Sequence, residues 1–278
     1  PDVTIINMSG HSSDYSFELS KSFLSKGKKY IPMLGGQHYS DNDRNRLYYK
    51  NADHILVHTN NQKEEMLRMD MFQNLDIRVF PLGVDTNLFR PLVESANLDH
   101  KRDPELLYVG RIIEWKRIHI AIETLSALIK IGYKNARLKI IGPVSSKDYY
   151  KKLIKLTKDN NLLDNVEFIK EKSHNEIISF FQNADLLMLP SNLETFGMVM
   201  IESMACGTPV AAIDCPGGPA EVITHNYNGI LTTLDNYSKS IIDYFQNLKL
   251  IESTKNNAMK TVNNNYSIEN TYRVLLDQ

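Results

Sequence analysis

Short apolar runs alternate with amphipathic stretches along nearly the whole chain. The runs at 3–7, 30–34, 54–57, 78–81, 106–109, 138–141, 166–169, 186–189, 210–213 and 229–231 are mostly apolar rather than alternating. That pattern predicts strands covered on both faces, as in parallel sheets. Between them lie helical patterns. Ile118, Ala121, Ile122, Leu125, Leu128 and Ile129 share one helix face, and Gly132 closes that helix. Further helices are predicted over 146–158, over 175–182 after a cap at Ser173 or His174, and from about Met198. The tail reads as helices at 241–249, 251–262 and 267–277. Strand–helix–strand alternation predicts an α/β protein with doubly wound parallel sheets.

The rhythm breaks over 83–102, where Gly83, Asp85, Asn87 and Pro91 precede a polar run to Arg102. Two domains are therefore expected, as 278 residues also suggest. The first spans 1–85 and a linker spans 86–102. The second spans 103–265, and a C-terminal helix at 266–278 is expected to pack back on the first domain. The second domain holds a complete set of six strand signals and the first only four. Because Val3-Thr-Ile-Ile6 enters a strand pattern at once, the first domain is expected to be incomplete, lacking its opening strands.

Composition narrows the function. Apolar residues make up 42% and charged residues 23%, enough for sizeable cores. The formal net charge is −1 with Lys and Arg scattered, which argues against a nucleic-acid partner. Lys26-Gly-Lys-Lys29 is short enough to be a solvated turn. Cys206 and Cys215 do not make a disulfide framework, and both read as small buried packing residues. No apolar run reaches the ~20 residues a spanning helix needs. A cytoplasmic location is expected, and contact with the inner membrane face is compatible with it.

Two segments carry chemistry. Pro190-Ser-Asn-Leu-Glu-Thr-Phe-Gly-Met198 follows the run at 186–189, so it lies at the carboxyl end of a strand, where open α/β sheets bind ligands. Gly197 permits close backbone approach, and the free N–H groups of the helix that follows favour an anion. Glu194 and Glu202 flank that position. A phosphate-bearing polyhydroxylated ligand uses all of these features: phosphate takes the N–H groups, and hydroxyls donate to the carboxylates. The second segment is Leu107-Tyr-Val-Gly-Arg-Ile-Ile-Glu-Trp-Lys116. There Gly110 ends a strand, Arg111 offers a bidentate fork and Lys116 a point charge, completing a phosphate clamp.

Together with Pro81-Leu-Gly-Val-Asp-Thr-Asn-Leu-Phe89, these motifs resemble glycosyltransferase family 4 over about residues 30–235. The resemblance implies the GT-B fold of two Rossmann-like domains. It also implies retaining hexosyl transfer from a UDP- or GDP-sugar to a glycan, glycolipid or protein acceptor, with neither metal nor resident cofactor. By the same likeness Gly110, Arg111 and Lys116 hold the donor diphosphate, and Glu202 binds the ribose hydroxyls. Glu194 faces the transferred sugar, and Thr195, Phe196, Gly197, Met198 and Val199 line sugar and phosphate. Ile169, Lys170 and Glu171 lie near the base. His38, after Gly35-Gly36, stands where the family often carries a histidine facing donor and acceptor, and joins Glu194, Arg111 and Lys116 as a catalytic candidate. Gly217-Gly218-Pro-Ala-Glu221 resembles the family loop that shapes the donor-site floor. Arg117 departs from the pattern, because the family usually has glycine there.

Blander readings compete elsewhere. Asp41-Asn-Asp43 mimics a metal-binding Asp-x-Asp, but its polar turn before a helix points to capping. His119 lies inside a predicted helix and reads as packing. Other functions remain in the same fold class. A phosphorylase needs a lysine in a pyridoxal phosphate context, which is missing, and a 2-epimerase needs a different acidic set in the first domain. A non-catalytic sugar-nucleotide-binding or partner module is the reading from another class.

Overall fold

The computed structural model describes residues 3–8, 13–36, 39–92 and 103–276. The chain divides into two compact units, one of residues 1–82 with 271–278 and one of residues 83–270. In chain order the first unit runs β1 (Val3–Met8), α1 (Asp14–Leu24), β2 (Lys29–Leu34), α2 (Asp43–Lys50), β3 (Ile55–Val57), α3 (Asn60–Leu67) and β4 (Ile77–Val79). Its four strands pair in parallel in the order β1-β2-β3-β4. The core beneath them gathers Tyr30, Leu34, Tyr48, Tyr49, Val57, Met66 and Phe72.

Local chemistry sets the ends of these elements. The Asn42 side chain accepts the Asn45 N–H and caps α2, while Asp41 pairs with Arg46 through two contacts of 2.6 Å. The Asp-x-Asp look-alike is thus a cap and an ion pair. Buried Gln62 on α3 has its Nε2 within hydrogen-bond distance of the Leu34 carbonyl (3.2 Å), the Gly36 carbonyl (2.9 Å) and the Tyr39 hydroxyl (2.8 Å). His38 lies outside the described residues.

The second unit contains β5 (Glu105–Val109), α4 (Ile118–Lys130), β6 (Arg137–Ile141), α5 (Lys147–Asp159), β7 (Val166–Ile169), α6 (His174–Asn183), β8 (Leu186–Leu189), α7 (Met198–Ala205), β9 (Val210–Ile213), α8 (Pro219–Val222), β10 (Gly229–Thr232), α9 (Tyr237–Phe245) and α10 (Leu248–Asn265). A last helix, α11 (Ile268–Leu276), follows. The six strands are all parallel in the order β10-β9-β8-β5-β6-β7. Strand β8 is fully buried and β5 largely so, which is why both read as unbroken apolar runs. Val84 and Phe89 are buried, Phe89 against Phe181, so the segment after Leu82 packs within this unit as far as it is described.

The tail corrects one expectation. The break expected at residue 250, between helices over 241–249 and 251–262, falls earlier: α9 stops at Phe245 and α10 begins at Leu248. The Asn247 side chain accepts the Leu250 N–H, and this local hydrogen bond starts the second helix three residues before hydrophobic periodicity places it.

Candidate active site

The site is built where strands β5 and β8 end side by side, since Leu106 and Leu107 pair with Leu186 and Leu187. That neighbourhood brings together the turn 110–117 and the loop 190–197. The Asn192 N–H donates to the Trp115 carbonyl at 3.0 Å and ties the two loops. The buried Tyr108 hydroxyl donates to the Arg111 carbonyl at 2.9 Å and fixes the turn from below. Burial, and next the Glu194 carboxylate, push that phenol well above its ordinary range, so it stays a donor.

Lys116 forms an ion pair and hydrogen bond with Glu194, and each side chain is only 13% exposed. These residues lie 78 positions apart in the chain. Arg111 stands exposed, its guanidinium over the Trp115 ring at 5.3 Å, a cation–π contact that pre-orients the fork. Arg111 and Glu202 line one cleft of about 320 Å3 together with Gly110, Gly142, Glu171 and His174. Glu202 is 8% exposed, and burial raises its pKa while His174, 3.8 Å away, pulls it back. A second hollow of about 410 Å3 shares Gly142, Pro143 and Glu171 and is walled by Tyr150, Phe168, Ile169 and Lys170.

Helix α7 opens at Gly197 (φ 85°, ψ 61°) with no side chain capping it. Helices α5 and α6, by contrast, are capped by Ser146 and Ser173. The first amides of α7 are therefore left for a ligand or water. Phe196 is 4% exposed and packs edge-on against Tyr266, which anchors the loop from behind.

The floor comes from the turn after β9. Gly218 N–H donates to the Glu194 carbonyl at 2.9 Å, and Glu194 N–H donates to Pro216 at 3.3 Å. Gly217 has φ 107°, and a Cβ there collides with the Glu194 carbonyl. Gly217→Ala is expected to lower stability by at least about 1–3 kcal/mol from backbone strain alone. Urea unfolding measures this, and an unchanged midpoint contradicts so tight an approach.

The candidates thus fall into place as follows. Lys116 meets Glu194, and Arg111 and Gly110 share a cleft with Glu202 and Glu171. Ile169 and Lys170 line the adjoining hollow, and Thr195 to Val199 form the loop and helix start between. Sequence reasoning left His174 unassigned, although its place at the start of α6 puts it in the cleft beside Glu202. Trp115 and the Gly142-Pro143 turn were also passed over; glycine directly after the run 138–141 was the available signal. Cys215 is only partly buried rather than the buried packing residue expected, and burial, with the Glu194 carboxylate next, pushes its thiol up to about 12. A third hollow of about 340 Å3 lies at the opposite, amino ends of β5 and β6, where Lys139 pairs with Glu105 at 3.6 Å. It is remote from the strand ends that bind ligands in such sheets.

A six-stranded parallel α/β unit with clustered cations and acids at its central strand ends, in a chain with a second parallel-sheet unit, defines a protein of the GT-B class. The chain belongs to the group 1 glycosyltransferases, whose family description, Glycosyl transferases group 1, matches residues 92–264. Among curated proteins it is 31% identical, over 186 residues, to the D-inositol 3-phosphate glycosyltransferase of Pseudarthrobacter chlorophenolicus. That match covers 65% of this chain and 44% of the relative, so the chain spans less than half of that protein's length. The fold is shared with sucrose-phosphate synthase from Thermosynechococcus elongatus, at TM-score 0.78 and 22% identity over 99% of this chain and 74% of that one. It is shared also with Anabaena HepE in complex with UDP and glucose, at TM-score 0.79 and 19% identity over 98% and 77% of the two chains. Among the described residues, no helix is long and apolar enough to cross a membrane.

Proposed function

We propose that this chain carries the donor site of a family 4, retaining glycosyltransferase. It moves a hexose from a UDP- or GDP-sugar to a glycan, glycolipid or protein acceptor. The observation that carries this reading is the meeting of Lys116 with Glu194 beside a cleft that Arg111 and Glu202 line. That HepE binds UDP and glucose on the same fold supports it.

Breaking the sugar–phosphate bond puts negative charge on the leaving diphosphate and positive charge on the sugar ring. Arg111, Lys116 and the uncapped start of α7 face the first charge, oriented before the reaction. Glu194, held by Lys116, presents its other oxygen to sugar hydroxyls and to the ring's developing charge. Glu202 accepts from the ribose hydroxyls, and Ile169, Lys170 and Glu171 border the base. The acceptor attacks on the face the diphosphate leaves, and a donor phosphate oxygen takes its proton. No protein nucleophile and no metal are needed in this scheme. The site's cations meet the phosphate charge, and His38 is the acceptor-side candidate.

The test is incubation of the full-length protein with UDP-glucose and with GDP-mannose, followed by proton NMR. Release of UDP or GDP with an α-configured sugar product is the expected result. A C2-epimerised donor points to an epimerase. Sugar 1-phosphate formed from a glycan and phosphate points to a phosphorylase. Nucleotide binding without turnover leaves only a binding module. A β-configured product rejects retention.

A further inference from the structure

Helix α5 departs from the general scatter of cations along the chain. Its 13 residues, Lys147–Asp159, hold five lysines against two aspartates. Tyr149, Leu153 and Thr157 are its buried residues. At about 3.6 residues per turn, Lys147, Lys151, Lys155 and Lys158 fall within about 80° of one another on the opposite side. All four are exposed. Asp148 and Asp159 stand to one side of this crest, where they pair with Lys151 and Lys155. Lys147 and Lys158 form no ion pair among the described residues.

Solubility alone does not call for such a face, since interspersed charges of both signs serve it. Apolar residues around the crest are a second feature. Ile154 lies at its edge and is 39% exposed, and the exposed Val144 and Leu163 stand just before and just after the helix. Lysine stems are aliphatic, so a lysine crest edged by isoleucine suits a surface that is anionic outside and apolar beneath. The helix is held firmly in place. Ser146 caps it and donates its hydroxyl to Glu114 at 2.7 Å, and the Tyr149 hydroxyl meets His119 Nδ1 at 2.9 Å. Tyr150, on the same flank as Ile154, walls the hollow of about 410 Å3, so α5 borders the candidate site.

We infer that the outer face of α5 is a docking surface for an anionic phospholipid bilayer. The ammonium groups of Lys147, Lys151, Lys155 and Lys158 lie among the lipid phosphates, and Ile154 enters the interface beside them. A nucleic acid meets the lysines and leaves Ile154 without a partner, which favours the bilayer. The inference goes beyond the donor-site reading and does not depend on it.

Co-sedimentation of the full-length protein with lipid vesicles tests this. Vesicles of phosphatidylcholine mixed with phosphatidylglycerol are expected to bind it, and vesicles of phosphatidylcholine alone are not. Binding is expected to fall as sodium chloride is raised. The variant Lys147→Gln/Lys151→Gln/Lys155→Gln/Lys158→Gln is expected to bind at least about 100-fold more weakly, at about fivefold per lysine near an anionic surface. Ile154→Ser is expected to weaken binding several-fold while keeping its salt dependence. These side chains are exposed, so both variants are expected to keep the parent's thermal midpoint and its binding of UDP or GDP. Vesicle binding by the four-lysine variant within threefold of the parent overturns the inference, because another surface then docks. Equal binding to phosphatidylcholine alone, or to neither kind of vesicle, overturns it as well. So does binding to polyglutamate or duplex DNA at the same salt with none to vesicles. Each of these results leaves the donor-site reading standing, since nucleotide titration of the parent decides that reading separately.

Discussion

Lys116→Ala is expected to lower sugar transfer about 10²–10³-fold, the usual effect of removing one preorganised group that meets transition-state charge. The structure adds a second consequence. Lys116 and Glu194 are each 13% exposed, so the alanine variant leaves a carboxylate nearly buried without its partner. Removing one member of a buried pair typically costs about 3–5 kcal/mol, more than the pair itself contributes. The free variant is therefore expected to melt at a lower temperature as well as to turn over slowly. The double variant Lys116→Ala/Glu194→Gln separates the two effects, because the neutral amide needs no cation. Its melting temperature is expected to recover towards the parent while transfer stays low. Initial rates of UDP or GDP release, measured beside thermal unfolding for both variants, check this. Transfer within threefold of the parent in Lys116→Ala removes that residue from the mechanism.

Glu202→Gln is expected to weaken nucleotide binding roughly 10–100-fold, since hydrogen bonds to a charged group contribute about 1.5–3 kcal/mol. The same change is expected to raise stability at neutral pH. Burial holds the Glu202 carboxyl above its ordinary value of 4.5, and the groups that act on or with it are His174 and Cys206. A raised carboxyl binds its proton more tightly in the native state than in the unfolded chain. Its contribution to stability is therefore fully present below the unfolded value and is lost as pH rises through the native one. Above that window the parent carries a buried charge that the glutamine variant lacks. The melting temperature of Glu202→Gln minus that of the parent is expected to increase from pH 4 to pH 7. Thermal melts across that range, paired with UDP and GDP titrations, measure both effects. A variant that melts lower than the parent at pH 7 and binds nucleotide equally well contradicts the role assigned to Glu202.

These variants probe groups whose individual importance was legible in the chain. Glu194 and Glu202 frame an α7 start that a strand run and Gly197 announce, and Arg111 and Lys116 follow Gly110 in the same manner. The strands themselves were legible because parallel strands buried on both faces show as unbroken apolar runs. Residues 166–169, 186–189 and 210–213 became β7, β8 and β9 without a shift. Ends governed by a single side chain were harder. The break between α9 and α10 was read at residue 250 but falls at 246–247, where one hydrogen bond to the Asn247 side chain sets it.

The sequence by itself determined the alternation of elements, the parallel sheets and the chemistry available at each strand end, because burial and turn geometry act on neighbouring residues. Only the tertiary structure decided which of those ends meet. The order β10-β9-β8-β5-β6-β7 sets β8 beside β5, which brings Glu194 to Lys116, and beside β9, whose following turn closes Gly217 under Glu194. The meeting of Lys116 and Glu194 joins residues 78 positions apart, and no local pattern of side chains encodes which distant loop will supply a partner.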